Sequence, residues 1–414
     1  MNKKSVVGIA VIIILTIVMS AVLLQWAGRK AKVAESDSLY FVASNGTDGY
    51  ELWSHNEADY PAMAADINTD GDAFSGMVGR LSYVKFRESI YFRAFGADTG
   101  WELWCFDPDS GNARLVNDMV PGKESSSPLN LTVYEDKLYF TASLESGGRE
   151  LWSYNGTGKP VRITHSFNLM SSAVSGPANL IVYKGSLYFT ADDGVSGCAL
   201  WRFSPAEGTA SVMRISSDCP SYPRFLAVFN DKIYFQANDG IHGAELWSYD
   251  PANGSVMVAD ISDGSSYPRH LTVFEENLYF TADDGENGDE LWSYHPARGA
   301  VMVTDITPGH PSSPRDLTVF NGRLYFSAYE DPHGRKLWSF NSAEGITVPV
   351  DLQGTSLYLT SASHDLRRVG GRLYFSASDG VNGWELWSID HTGLARMVAD
   401  IWPGSGNGVP HEYL

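Results

Sequence analysis

Leu271-Thr272-Val273-Phe274, a turn at Glu275-Glu276-Asn277, Leu278-Tyr279-Phe280-Thr281-Ala282, a Gly-punctuated loop from Asp283 to Asp289, Glu290-Leu291-Trp292-Ser293-Tyr294, a turn at Pro296-Ala297-Arg298-Gly299, and Val301 to Ile306 follow one another along the chain. Runs of β-branched and aromatic residues bounded by Gly, Pro, Asn and Asp read as strands and turns, so the stretch predicts four short strands. The Leu-Trp phrase recurs at Leu52-Trp53, Leu103-Trp104, Leu151-Trp152, Leu200-Trp201, Leu246-Trp247, Leu291-Trp292, Leu337-Trp338 and Leu386-Trp387, at intervals of 45 to 51 residues. A Leu/Ile-Tyr-Phe triplet precedes each one. A period of this length with several strands per repeat points to propeller blades. The expected fold is all-β, an eight-bladed β-propeller of four-stranded blades. The first two strands of a repeat read apolar on both faces, as expected for blades sandwiched between neighbours.

The predicted boundaries are a propeller over 39–414, a linker over 33–38 and an N-terminal anchor over 1–32. The inner strand occurs seven times, beginning at Leu81, Leu131, Leu180, Leu226, Leu271, Leu317 and Leu366, whereas blade one opens directly at Leu39. Pro410-His411-Glu412-Tyr413-Leu414 aligns with Pro268-Arg269-His270-Leu271-Thr272. The C-terminal stretch is therefore expected to supply the inner strand of blade one and remove a free sheet edge.

Val6 to Trp26 carries no charge. As a helix it spans roughly 30 Å, a bilayer core. The apolar region of a cleaved signal peptide is shorter, about 7–15 residues, so an uncleaved transmembrane helix is the expectation. Lys3, Lys4, Arg29, Lys30 and Lys32 flank both ends, which leaves orientation open. The chain of 414 residues has a formal net charge of −19, and removing residues 1–32 leaves −24. Such a polyanion is a poor partner for nucleic acid, whose phosphates need clustered Lys and Arg.

The repeats resemble the bacterial and archaeal ELWxxDGT repeat proteins, and more loosely the YWTD propellers. The residues that carry this are Glu51-Leu52-Trp53, Glu102-Leu103-Trp104, Glu150-Leu151-Trp152, Glu245-Leu246-Trp247, Glu290-Leu291-Trp292 and Glu385-Leu386-Trp387. Blades four and seven have Ala199 and Lys336 in place of the Glu, and the Asp-Gly-Thr is not kept. The resemblance implies a cell-surface or secreted propeller and no particular reaction.

Gly49, Gly100, Gly148, Gly197, Gly243, Gly288, Gly334 and Gly383 share one register before the Leu-Trp strand, which suits a positive φ or a close backbone approach. Asp66, Asp118, Asp260, Asp305, Asp351 and Asp400 recur at the end of the fourth strand and are expected to accept bonds from the loop beyond. Arg224, Arg269 and Arg315 follow Pro in the next connection, either paired with those carboxylates or lining the channel mouth. The loops between second and third strands and the connections between blades share one face. They are the long ones, so function is expected there, with Arg224, Arg269, Arg315, His364 and His411 as ligand-binding candidates.

Asp66-Ile67-Asn68-Thr69-Asp70-Gly71-Asp72 matches the first half of a calcium loop, with Asp66, Asn68, Asp70 and Asp72 as oxygen donors for Ca²⁺. Met77 stands where a bidentate Glu belongs, and the rival reading is an acidic turn. Cys198 and Cys219 are expected on one face and could form a disulfide outside the cytoplasm. No zinc-protease, nucleophile-elbow or phosphate-loop motif occurs, so no catalytic residue is assigned. The expected function is a membrane-anchored extracytoplasmic module that binds or scaffolds a glycan, an envelope polymer or a protein. The alternatives are a polysaccharide lyase or glycoside hydrolase acting at the channel mouth, and a structural surface-layer component. Deleting residues 408–414 is expected to lower the melting temperature by several degrees; an unchanged melt would refute closure by the C-terminus.

Overall fold

The computed structural model describes residues 38–410 apart from 75–80, 144–147, 166, 168–175, 195–196, 214, 216–220, 331–333 and 348–365. Val6–Trp26, His364, Cys219 and residues 411–414 lie outside the described residues. Among those described, no helix is long and apolar enough to cross a membrane.

The described chain forms eight antiparallel sheets in sequence order, seven with four strands and the first with three. Blade six is representative: Arg269–Phe274, Asn277–Asp283, Asp289–His295 and Gly299–Thr304, each strand pairing with the next. Its inner strand starts two residues before the hydrophobic run that marks it in the sequence. The three strands of blade one are Leu39–Ala43, Glu51–His55 and Ala62–Ala65.

Second strands are the most deeply buried, as in Leu278-Tyr279-Phe280-Thr281-Ala282. The inner strand departs from the expectation of two buried faces. Val133, Val182, Val228 and Val273 are exposed, because this strand borders the central channel on one side. Apolar clusters fill the gaps between successive blades. Tyr40 and Leu52 of blade one meet Phe92 and Phe106 of blade two, and Phe320 and Tyr325 of blade seven meet Leu373 and Phe375 of blade eight. One further cluster joins Leu39 and Phe41 of blade one to Tyr374 and Leu386 of blade eight, with Val409 between them. The eight sheets therefore close into a ring: an eight-bladed β-propeller.

The Glu of Glu-Leu-Trp holds neighbouring blades together. Glu51, Glu102, Glu150, Glu245, Glu290 and Glu385 are completely buried. Glu245 accepts from the backbone N–H of Ile261 (3.0 Å) and of Ser266 (2.8 Å), and from the Ser266 hydroxyl (2.6 Å). Glu290 does the same with Ile306 (3.2 Å) and Ser312 (2.8 Å). The residue so held then accepts from the next blade. Ser266 O takes the N–H of Asp283 at 2.9 Å, and Ser312 O that of Tyr329 at 2.8 Å. The last relay closes the ring, with Glu385 accepting from Gly408 N (3.0 Å) and Gly408 O from Ser44 N of blade one (2.8 Å).

All eight register glycines have positive φ, between 64° and 80°. At Gly243 a Cβ would strike the carbonyl of Gly264, and at Gly383 that of Gly406, so the connection lies directly on the glycine.

Burial pushes the Glu51 and Glu385 carboxyls up to about 7, against the pull of their backbone donors, and raises Glu102, Glu245 and Glu290 in the same direction. The folded chain then keeps protons that the unfolded chain has released. Their stabilising effect is complete below the ordinary carboxylate range and is lost as pH rises toward 7. The melting temperature is expected to fall between about pH 5 and about pH 8. Glu51→Gln, which cannot ionise, should melt lower throughout but with a shallower fall; equal slopes would contradict this assignment.

Candidate functional site

The inner strands of blades three to seven share a kink near their start. Pairing with the second strand skips at Leu129/Thr132, Ala178/Ile181, Arg224/Ala227, Arg269/Thr272 and Arg315/Thr318. The extra residue is left-handed in every case: Asn130 (φ 56°), Asn179 (52°), Phe225 (57°), His270 (59°) and Asp316 (60°). A bulge with this conformation re-aims its side chain, and for Phe225 the left-handed region costs energy that the surrounding structure must offset. Local bonds hold the kink. Thr132, Thr272 and Thr318 donate their hydroxyls to the carbonyls of Asn130 (3.2 Å), His270 (3.2 Å) and Asp316 (2.9 Å). Asn179 Nδ2 donates to Thr190 Oγ1 at 2.9 Å.

The bulges of blades five, six and seven meet at the long-loop end of the central channel, whereas the Asn130 and Asn179 side chains turn back to Thr141 and Thr190 of their own blades. A cavity of about 300 Å³ there is lined by Phe225, Leu226, His270, Leu271, Thr272, Asp316, Leu317, Thr318 and Leu366. The rings of Phe225 and His270 lie 6.4 Å apart, tilted by 32°. The combination of an apolar floor, one stacked aromatic pair and a few polar groups is that of a binding pocket.

Of the residues singled out in the sequence, Arg224, Arg269 and Arg315 open the inner strands of blades five, six and seven, one residue before the bulge. Of the two alternatives for these arginines, Arg269 pairs with neither a fourth-strand Asp nor an open channel; its partner is Asp289, which begins the third strand of the same blade. That register varies around the ring. In blades three and seven it is Arg149 and Arg335, whose Nη1 atoms donate to the carbonyls of Ser127 (2.9 Å) and Ser313 (3.0 Å). Arg335 is buried and stacks over Tyr329 at 4.3 Å. His364 and His411 lie outside the described residues. The bulge residues escaped the sequence reading because a φ sign leaves no mark on a Phe or a His.

The fourth-strand aspartates do less than expected. Asp118 Oδ2 accepts from Gly122 N at 3.2 Å, but Oδ1 of Asp118, Asp305 and Asp400 is buried with no hydrogen-bond partner among the described residues. The connection is held by the Glu instead. In the Asp66–Asp72 segment, Asn68 donates its amide to Asp72 O (3.0 Å), and Asp72 Oδ1 accepts from Tyr50 N (2.8 Å). Among the described residues no three His, Cys, Asp or Glu side chains gather around a common metal position. Cys198 is a buried free thiol whose pKa burial pushes up to about 12, and Cys219, its expected partner, lies outside the described residues.

The family model for outer membrane protein assembly factor BamB matches residues 87–384, more than half of the chain. The protein belongs to that family of β-propellers. No curated protein sequence matches it. Among solved structures, a prolyl endopeptidase aligns at 10% identity with a TM-score of 0.52, over 76% of this chain and 49% of the other. Oligopeptidase B from Leishmania major aligns at 10% and 0.51, over 79% and 49%. A puromycin hydrolase aligns at 13% and 0.50, over 91% and 54%. The chain spans about half the length of these enzymes, and the likeness concerns the propeller fold alone.

Tyr50 N and Asn68 occupy part of the donor set that the calcium reading requires. A melt of residues 33–414 in EDTA and then in excess Ca²⁺ measures what remains. A rise of several degrees is the outcome expected of a native-state ion site; no shift would reduce Asp66–Asp72 to an acidic turn.

Proposed function

We propose that this protein is an extracytoplasmic binding or scaffold propeller, held at the membrane by Val6–Trp26 and engaging a protein ligand at the long-loop mouth of its channel. The observation that carries the reading is the meeting of Phe225, His270 and Asp316, the left-handed bulge residues of three consecutive blades, around one opening. The family's name, an outer membrane protein assembly factor, favours a protein over a glycan as the ligand. The Glu-Leu-Trp repeats, through their resemblance to the ELWxxDGT surface proteins, favour the same side of the membrane. Blade one begins on the short-turn face at Leu39, so an anchor ahead of it leaves the long-loop face pointing away from the bilayer.

The test is binding of extended polypeptides and of oligosaccharides to residues 33–414, followed by calorimetry. Phe225→Ala and His270→Ala are each expected to weaken peptide binding by about tenfold, with melting temperatures near wild type because neither side chain belongs to the apolar clusters that fill the gaps between blades. Retained affinity in both variants, or selective binding and turnover of an oligosaccharide, would overturn the reading.

A further inference from the structure

Arg93 lies on the second strand of blade two, and Arg149 opens the third strand of blade three. A chain of contacts joins them across the gap between the blades. The Arg93 guanidinium lies 4.8 Å over the ring of Trp101. Trp101 O accepts from Ser127 N at 2.9 Å, and Ser127 O accepts from Arg149 Nη1 at 2.9 Å. The same Nη1 donates to Thr141 O (2.9 Å) and Thr141 Oγ1 (3.2 Å), and the bulge residue Asn130 shares that hydroxyl at 3.3 Å. The two cations therefore stand at the long-loop end, beside the bulge of blade three.

Among the described residues neither cation meets a carboxylate. Arg149 is held by backbone and hydroxyl oxygens, and Arg93 Nε is buried with no hydrogen-bond partner. Burial lowers the pKa of both guanidiniums, and the Arg93 charge lowers that of Arg149 further. Two partly buried like charges cost stability unless a counter-charge offsets them. Asp and Glu outnumber Lys and Arg by 49 to 30, so the chain has no shortage of acids to supply one. Nor does the fold require the pair. Blades six and seven repeat the framework: Arg335 Nη1 donates to Ser313 O, Ser327 O and Ser327 Oγ, each at 3.0 Å, and Ser313 N donates to Asp289 O at 2.8 Å. There the register of Trp101 holds an acid, Asp289, which Arg269 engages. The register of Arg93 holds Thr281, which pairs with Leu291 as Arg93 pairs with Leu103. The other blades also hold an uncharged residue at that point, among them Thr141, Thr190 and Gln236.

We propose that Arg93 and Arg149 form a carboxylate-binding site at the channel mouth, which takes an acidic side chain or the terminal carboxylate of the polypeptide ligand. A guanidinium stacked on an indole still presents a planar N–H fork, and a carboxylate matches that fork with charge-assisted bonds. The ligand's charge replaces the acid that blade six keeps in its own chain. This site rests on the reading above for the polypeptide and adds a second anchor to it. Blades two and three lie nearly across the ring from the pocket of Phe225, His270 and Asp316 in blades five to seven.

The experiment titrates the full-length chain with three N-acetylated peptides of about twelve residues, long enough to span roughly 40 Å when extended. One is an uncharged sequence of Ala, Ser and a single Phe ending in an amide. The second is the same peptide with a free terminal carboxylate, and the third is the amide with one central Glu. The carboxylate peptides are expected to bind about tenfold more tightly than the uncharged amide. The tighter of the two identifies the terminus or the side chain as the source, and equal affinities show that the site takes either. Arg93→Thr carries what blades three, four and six already have, and Arg149→Ala what blade five has, so both should fold. Each should lose the gain of acid over amide. The inference is overturned if neither carboxylate peptide gains over the amide, if the gain survives in either variant, or if it appears only in Glu145→Gln, whose carboxylate belongs to a loop outside the described residues. Phe225→Ala should weaken all three peptides alike and leave the gain intact. A gain lost in Arg93→Thr with no effect of Phe225→Ala would refute the pocket of blades five to seven and keep this site; a uniform loss in Phe225→Ala with no gain to lose would do the reverse.

Discussion

A carboxyl group taken out of water and held by backbone N–H donors, joined in several blades by a Ser or Thr hydroxyl, organises this protein. The Glu of each Glu-Leu-Trp repeat sits at the start of a third strand, wholly buried, and in all but blade three it accepts N–H groups from two separated points of the chain that runs to the next blade. Desolvation penalises the charge and the backbone dipoles offset that penalty. The connection is thereby fixed at a set distance from the blade it leaves. Its held residue then gives its carbonyl to the blade it enters. Repeated around the ring, one short motif sets both the spacing of the blades and the closure of the last onto the first.

The exceptions support this account. Blade four has Ala199 in place of the Glu, and there the Ser221 hydroxyl accepts from Ile215 N at 3.3 Å, the bond that a Glu oxygen makes elsewhere. Ser221 O still accepts from Asn238 N of the next blade, at 2.9 Å. In blade three the buried Glu150 takes the Thr164 hydroxyl and lies 3.7 Å from Arg162. In blades three and four other side chains thus supply part of this anchoring; blade seven carries the buried Lys336 in that register, and most of its connection lies outside the described residues.

With the frame repeated so strictly, chemistry collects where the repeat is broken. The inner strands are free to vary because they face a channel rather than another sheet; five of them carry a left-handed bulge, and three of those, at Phe225, His270 and Asp316, line one opening. Blade one breaks the pattern differently. Among the described residues it has three strands, and its neighbours carry Lys85 and Arg368 where blades three to seven carry Val.

The period of Leu-Trp, the apolar runs and the register glycines were enough to place eight blades, seven of which show the four expected strands, because burial between blades imposes the same residue types at the same intervals. The glycines were legible for a further reason: a positive φ pressed against a carbonyl leaves only one residue type. The arginines at 224, 269 and 315 were found as a repeated position, but whether each meets a carboxylate or the channel depends on what the neighbouring strand brings to it, as Asp289 does for Arg269. Phe225 and His270 gave no sign of their left-handed backbone, and the Glu gave no sign of its partners, which lie 16 and 21 residues away at Glu245. Sequence alone determined the repeat, since a repeated environment selects repeated side chains. Only the tertiary structure decided where the carboxylates and bulges come together, since those contacts arise between blades.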